Sequence, residues 1–213
     1  MNVPTSILAF SFAAALATLT PGLDTALVLR TAAIDGKRHA MMAALGIGTG
    51  VLGWGTATAL GLAELLNASA LAYEIVRWAG AVYLMYLGAR MLLRPRKEFG
   101  TSTTSVGDAA RLSIAESFRR GLLTNLLNPK VGVFYVSFLP QFIPHDASNP
   151  RALMLLFALI HAVEGIVWFS ILTIATGRIA PLLRRGRVVK FFDQAMGTLF
   201  IAFGVKLALE RRA

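Results

Sequence analysis

Six apolar runs set the terms for this chain. They cover about residues 3–29, 40–66, 71–93, 121–143, 152–177 and 188–209 of the 213. Each is near or above the roughly 20 residues that a helix needs to cross a hydrocarbon core of about 30 Å. A soluble domain has shorter runs and roughly 25% charged residues, whereas this chain has 15% charged and 56% hydrophobic residues. In lipid, backbone groups must be satisfied within the segment, which leaves helices as the spanning form for such runs. The expected class is therefore an all-α integral membrane protein of six transmembrane helices. The first run contains the small-residue segment AFSFAAALA, as a secretory leader would. The first basic residue is Arg30, so the basic start of a leader is missing and the run reads as a retained span.

The formal net charge of +10 would suit nucleic acid or anionic lipid, but its distribution explains it better. Fifteen of the 21 Lys and Arg residues fall in connections one, three and five, between Arg30 and Arg38, Arg90 and Arg120, and Arg178 and Lys190. Basic residues stay on the cytoplasmic side, so both termini are expected outside, periplasmic or extracellular. The charge is then a topology signal: the expected surroundings are membrane lipid, and no nucleic-acid partner is needed. Tyr73 and Trp78 suit an interfacial anchor near the outer end of the third span, where Glu74 and Arg77 can pair. In SIAESF, Ser113 and Glu116 fit a helix N-cap box, which starts the fourth helix ahead of its apolar run.

Two places interrupt the runs. TLTPGLD carries Thr20-Pro21 and NLLNPKVG carries Asn128-Pro129. Proline removes a backbone donor and pushes the preceding residue out of the helical region, so each span is expected to break there. Pro21 lies nine residues before Arg30, and Pro129 nine after Arg120; at 1.5 Å per residue both sit roughly 14 Å from the cytoplasmic edge. Two three-span halves have opposite orientations. A break at matching depth in the first helix of each half predicts two inverted repeats around a central site, as in secondary transporters. One transmembrane transporter domain results: repeat one over about 3–93, a cytoplasmic connection over about 94–117, and repeat two over about 118–209.

Charge collects at the breaks. Asp24 and Lys130 stand next to them, and an ion near the bilayer centre costs about 3 kcal/mol or more without a partner. The two can pair with each other. Alternatively, Asp24 binds a substrate ammonium or a proton while Lys130 meets a carboxylate. The helix restarting after Pro21 and Gly22 presents uncapped N–H groups and a positive dipole end, which also suit a carboxylate. Asn125 and Asn128 can satisfy backbone groups freed at Pro129 or touch the ligand. His161 and Glu164, three apart on one face of the fifth span, read as a proton relay, a hydrogen-bonded structural pair, or two metal ligands. Gly46, Gly50, Gly53, Ala57 and Gly61 form a small-residue face on the second span. That face can take a helix of the same chain or of a second copy, so a homodimer stays open.

No Cys, phosphate-binding loop, nucleophile elbow or HExxH occurs, so no enzyme, cofactor or resident metal is expected, and an ion gradient is the simplest energy source. With these residues in view, TPGLDTALVLRTAAIDGKRHAMMAALGIGTG resembles the N-terminal signature of the LysE/RhtB amino-acid translocators. RWAGAVYLMYLGARMLL and FRRGLLTNLLNPKVGVFYVSFLPQF are similar to that family's later motifs, and MGTLFIAFGVKLAL fits its last span. The likeness covers nearly the whole chain, although Leu23 stands where the family usually has a second proline. It implies export of amino acids or close derivatives from a bacterial cytoplasm by proton antiport across the inner membrane. It carries over Pro21, Gly22, Asp24, Asn128, Pro129 and Lys130 as motif residues, but not Glu164 or His161. The alternative reading is a divalent metal-ion exporter of similar topology.

Overall fold

The computed structural model describes residues 2–68, 70–93, 113–144, 146–183 and 185–209, and its regular structure there is entirely helical. Most of the connection expected over 94–117 therefore lies outside the described residues, as do the side chains of Tyr73, Glu74 and Arg77. Trp78 is exposed. The first run forms α1 (Val3–Leu19) and α2 (Leu23–Ile34), which meet at a bend of 52°. Helices α3 (Lys37–Ala68) and α4 (Ala70–Leu93) follow. After them come α5 (Ile114–Leu126), the short α6 (Pro129–Val133), a π-helical turn over Phe134–Phe138 and a 3₁₀ turn over Leu139–Phe142. The chain closes with α7 (Pro150–Ile174), α8 (Thr176–Leu183) and α9 (Gly186–Leu209). Three described helices are long and apolar enough to cross a membrane, or four if the bent pair α1–α2 counts as one span.

Local sequence explains the helix starts. Asn2, Asn128 and Asn149 cap α1, α6 and α7 by accepting from the backbone N–H of Thr5, Lys130 and Ala152 at 3.0, 3.1 and 3.0 Å. Proline stands at the first or second position of each of these helices, where its missing N–H costs nothing. Ser113 accepts from the N–H of Glu116 at 3.1 Å, which starts α5 at Ile114, ahead of the apolar run. Helix α2 ends at Ile34, and two residues on the φ of +92° at Gly36 lets its N–H fold back to the carbonyl of Thr31 at 3.0 Å. That left-handed residue makes possible the tight turn into α3.

The fourth run, expected over 121–143 with a break at Pro129, leaves the α-helical path a second time near Pro140. Pro140 has no N–H to give to the preceding turn, and the chain passes through π and 3₁₀ geometry instead. Gln141 compensates: its Nε2 donates to the carbonyl of Ser137 at 2.9 Å. Lys206 of α9 then donates to the Gln141 carbonyl at 3.3 Å and lies over the Phe203 ring.

Two apolar clusters hold the helices. The larger contains Phe10, Phe134, Phe138, Phe157 and Phe200, with Phe10 stacked on Phe157 at 4.4 Å and edge-on to Phe142 at 5.5 Å. The smaller joins Val28, Leu29, Ile47, Phe169, Leu172 and Val189. Leu8, Phe12, Leu93, Leu127 and Leu209 are largely exposed, as side chains facing hydrocarbon would be. Helix α3 packs most extensively on α5 and α7, and α4 on α9.

The first part of the small-residue face of α3, Gly46 and Gly50, is taken up inside the chain, while Gly53 and Ala57 are exposed. A methyl at Gly46 would run into the Phe118 carbonyl, one at Gly50 would meet Asn125 Oδ1 at 2.7 Å, and one at Gly53 would touch Leu126 at 3.6 Å. From the other side, a methyl at Gly121 would overlap the Ala43 carbonyl. Gly61 has nothing within 4 Å. We expect Gly121→Ala to destabilise the protein by about 1–3 kcal/mol, the range for overpacking a close contact, and Gly61→Ala to be neutral. Thermal unfolding of the two variants in detergent checks the difference.

Candidate functional site

The bend between α1 and α2 and the gap between α5 and α6 lie against each other. Thr20 and Asn128, the residues before the two prolines, are both extended, with φ/ψ of −65°/112° and −79°/109°, as the proline ring requires of its predecessor. Thr20 returns its hydroxyl to the Leu16 carbonyl at 2.7 Å. Two further carbonyls at the end of α1 are met from the other half of the chain. Lys130 Nζ donates to Ala17 O at 2.9 Å and to Thr20 O at 3.1 Å. An ammonium at a helix C-terminus satisfies orphan acceptors and the negative end of the dipole together.

Asp24 sits in the first turn of α2, one residue beyond its start. Gly22, the residue before that helix, offers no side chain to cap it. Asn125, itself 1% exposed, donates from Nδ2 to Asp24 Oδ2 at 2.9 Å. The other carboxylate oxygen of Asp24, Oδ1, and the amide oxygen of Asn125, Oδ1, are sealed from solvent and accept no hydrogen bond. Lys130 is within electrostatic reach of Asp24.

These groups border one cavity. Its walls include Gly22, Asp24, Asn125, Asn128, Lys130 and His161, together with Ile47, Gly48, Val51, Phe134, Gly165 and Phe169. The space open to the centres of water molecules is about 40 Å³, room for about three waters. Phe134 belongs to the larger apolar cluster and Phe169 to the smaller, so the cavity lies between the two.

The structure thus brings together six residues singled out in the sequence: Gly22, Asp24, Asn125, Asn128, Lys130 and His161. Pro21 is buried at the bend but does not line the cavity, and Pro129 opens α6. Glu164 also lies off the cavity lining; it is half-buried, and its Oε2 accepts no hydrogen bond. The hydrogen-bonded His161–Glu164 pair is not formed. Instead, Tyr135 Oη and His161 Nδ1 are 3.1 Å apart, with the two rings stacked at 5.7 Å. The π-helical turn turns Tyr135 inward, fully buried; in the sequence it is one aromatic among several in VFYVSF. Phe169 and Gly165 were not singled out either, since a lone Phe or Gly in an apolar run carries no signal. No group of three or more His, Cys, Asp or Glu side chains that would hold a metal ion occurs among the described residues, and the metal-exporter alternative finds no support.

Fold and site define a multi-pass, all-helical membrane protein with a largely apolar cavity, bordered by Asp24 and Lys130, between two apolar clusters. The chain belongs to the LysE type translocator family, whose model matches residues 15–211. It is 34% identical over 200 residues to the threonine efflux protein of Escherichia coli (strain K12), covering 92% of this chain and 93% of that one. It is 29% identical over 191 residues to the leucine efflux protein of Klebsiella pneumoniae (89% and 88% covered). It is also 26% identical over 209 residues to the membrane protein YrhP of Bacillus subtilis (96% and 99% covered). No solved structure matches the chain.

The Lys130 contacts predict a stability effect separate from transport. Lys130→Met leaves the Ala17 and Thr20 carbonyls without their cationic donor, at about 1.5–3 kcal/mol per charge-assisted hydrogen bond, while Lys130→Arg keeps a donor and costs less. Thermal midpoints of the purified variants should fall in that order.

Proposed function

We propose that this chain is a secondary exporter of amino acids or close derivatives across a bacterial inner membrane, driven by proton antiport. One observation carries the reading. Asp24 and Asn125 each keep a sealed side-chain oxygen, Oδ1, that accepts no hydrogen bond, and both residues line the cavity that Lys130 also lines. A buried acceptor left unbonded is costly, so the site favours a guest bringing N–H donors and positive charge. An amino acid brings an ammonium, and its carboxylate matches Lys130 and the N-terminal end of α2. The relatives named as threonine and leucine efflux proteins support the same substrate class.

In this reading Asp24, Asn125, Asn128 and Lys130 hold the substrate, and Pro21, Gly22 and Pro129 keep the backbone open around it. Protons are exchanged through Asp24, His161 and Glu164, and lipid covers the outer face. The chain is one domain of six spans in two inverted repeats, over about 3–93 and 118–209, with both termini outside the cytoplasm. The pattern of packing supports that symmetry: α1 lies on α7 as α5 lies on α3, and α3 pairs with α7 as α4 pairs with α9. A methyl at Gly88 would meet the Gly197 carbonyl at 2.6 Å and one at Gly197 the Gly88 carbonyl at 2.9 Å. Such a reciprocal crossing is what a two-fold between halves produces.

The test is flux in proteoliposomes, with a panel of amino acids, with and without an imposed proton gradient. Wild-type protein should move at least one of them, and Asp24→Asn should lower that flux by roughly 10-fold or more, the scale of losing one charged contact. Wild-type flux in both Asp24→Asn and Lys130→Ala, in protein shown to be inserted, would sink the assignment. Glu164→Gln separates coupling from binding: exchange of internal for external substrate should persist while accumulation driven by the proton gradient is lost. Accumulation retained by Glu164→Gln would remove Glu164 from the proton path.

A further inference from the structure

We propose that α7 is the wall that reads the substrate's side chain, and that Gly165 sets the largest side chain accepted. The inference rests on the amino-acid reading above and deepens it.

The charged groups of the cavity come from two helices. Asp24 comes from α2 and Lys130 from α6, with Asn125 of α5 and the capping residue Asn128 beside them. Helix α7 supplies His161, Ala162, Gly165 and Phe169. Helix α3 adds Ile47, Gly48 and Val51, so a substrate whose ammonium and carboxylate are held by the first group has the uncharged faces of α3 and α7 left for its side chain. The polar atom seen in use on the α7 wall, His161 Nδ1, is engaged by Tyr135. The rest of the wall is a methyl, a bare backbone and a phenyl ring, which suits a small or aliphatic side chain better than a second charge.

Gly165 differs from Gly48, which also lines the cavity, in what a methyl would meet. A methyl at Gly48 would press on Ile166 at 3.2 and 3.3 Å, and one at Gly22 would reach Lys130 Nζ at 3.5 Å. A methyl at Gly165 would meet only Phe169 Cε2, at 3.9 Å, an ordinary contact. Packing therefore does not demand glycine there, and glycine inside a helix costs stability relative to alanine. What its absent side chain provides is space. In a cavity with room for about three waters, one methyl removes a large share of what a guest can use. Phe169, 4% exposed, closes the same wall one turn further along α7.

The experiment measures counterflow of alanine, serine, threonine, valine and leucine in proteoliposomes for the wild type, Gly165→Ala and Phe169→Leu. Gly165→Ala should fold with an unchanged or higher thermal midpoint. It should lower the leucine-to-alanine flux ratio by roughly 10-fold, the usual discrimination for one methylene. Phe169→Leu, which shortens the opposing ring, should move the ratio the other way. A ratio within twofold of wild type in both variants overturns the role of α7 while leaving amino-acid export intact. Failure of Gly165→Ala to fold also overturns it, because the space taken as free would then be structural. Wild-type protein that moves none of the five removes the export reading and this inference with it.

Discussion

An opened helix inside a bilayer leaves backbone carbonyls that no water can satisfy, and the arrangement around residues 17–25 answers that constraint. Helix α1 stops at Leu19 because the residue before Pro21 cannot stay helical. The carbonyls of Ala17 and Thr20 then need donors from within the protein. Lys130 supplies them from a segment 110 residues further along. The same lysine follows a second proline, and its own backbone N–H is held by Asn128. One side chain thus joins two interruptions that would each be costly alone.

A second bond ties the same elements in the opposite sense. Asn125, at the end of α5, donates to Asp24, at the start of α2. Lysine from the second half meets the end of α1, and aspartate from the first half meets the end of α5, so each interruption is completed by the other. Gly50 makes room for the Asn125 side chain, where a methyl would lie 2.7 Å from Oδ1. The close approach of α3 to α5 is thereby coupled to the position of the Asp24 carboxylate. Packing and site are one construction at this level of the molecule.

Much of this was legible in the sequence because membrane constraints act over short stretches. Run length gave the helical class, the paired Thr-Pro and Asn-Pro dipeptides with their adjacent charges pointed to five residues that share the cavity, and a polar residue in the fifth span pointed to a sixth, His161. What the sequence could not supply was orientation about a helix axis. His161 and Glu164 are three apart, yet only His161 reaches the cavity, and its partner Tyr135 lies on a π-helical turn whose register no 3.6-residue count anticipates. The irregular path over Phe134–Phe142 was hidden for the same reason. Pro140 was visible, but the Gln141 bond that makes the detour tolerable depends on three-dimensional reach.

Glycine shows the limit most sharply, since one letter stands for opposite physical roles. At Gly46, Gly121, Gly88 and Gly197 the missing side chain lets two backbones approach to distances that a methyl would forbid. At Gly165 a methyl would fit, and the missing side chain leaves a void beside charged groups instead. Spacing along the chain identifies the first kind, because close helix crossings repeat at helical intervals. It is silent on the second, which is defined by what is absent across the cavity. Contacts that hold helices together therefore leave a pattern in the sequence, and the emptiness that admits a guest does not. For that reason the class of this protein can be read from its runs, while the shape of its cavity cannot.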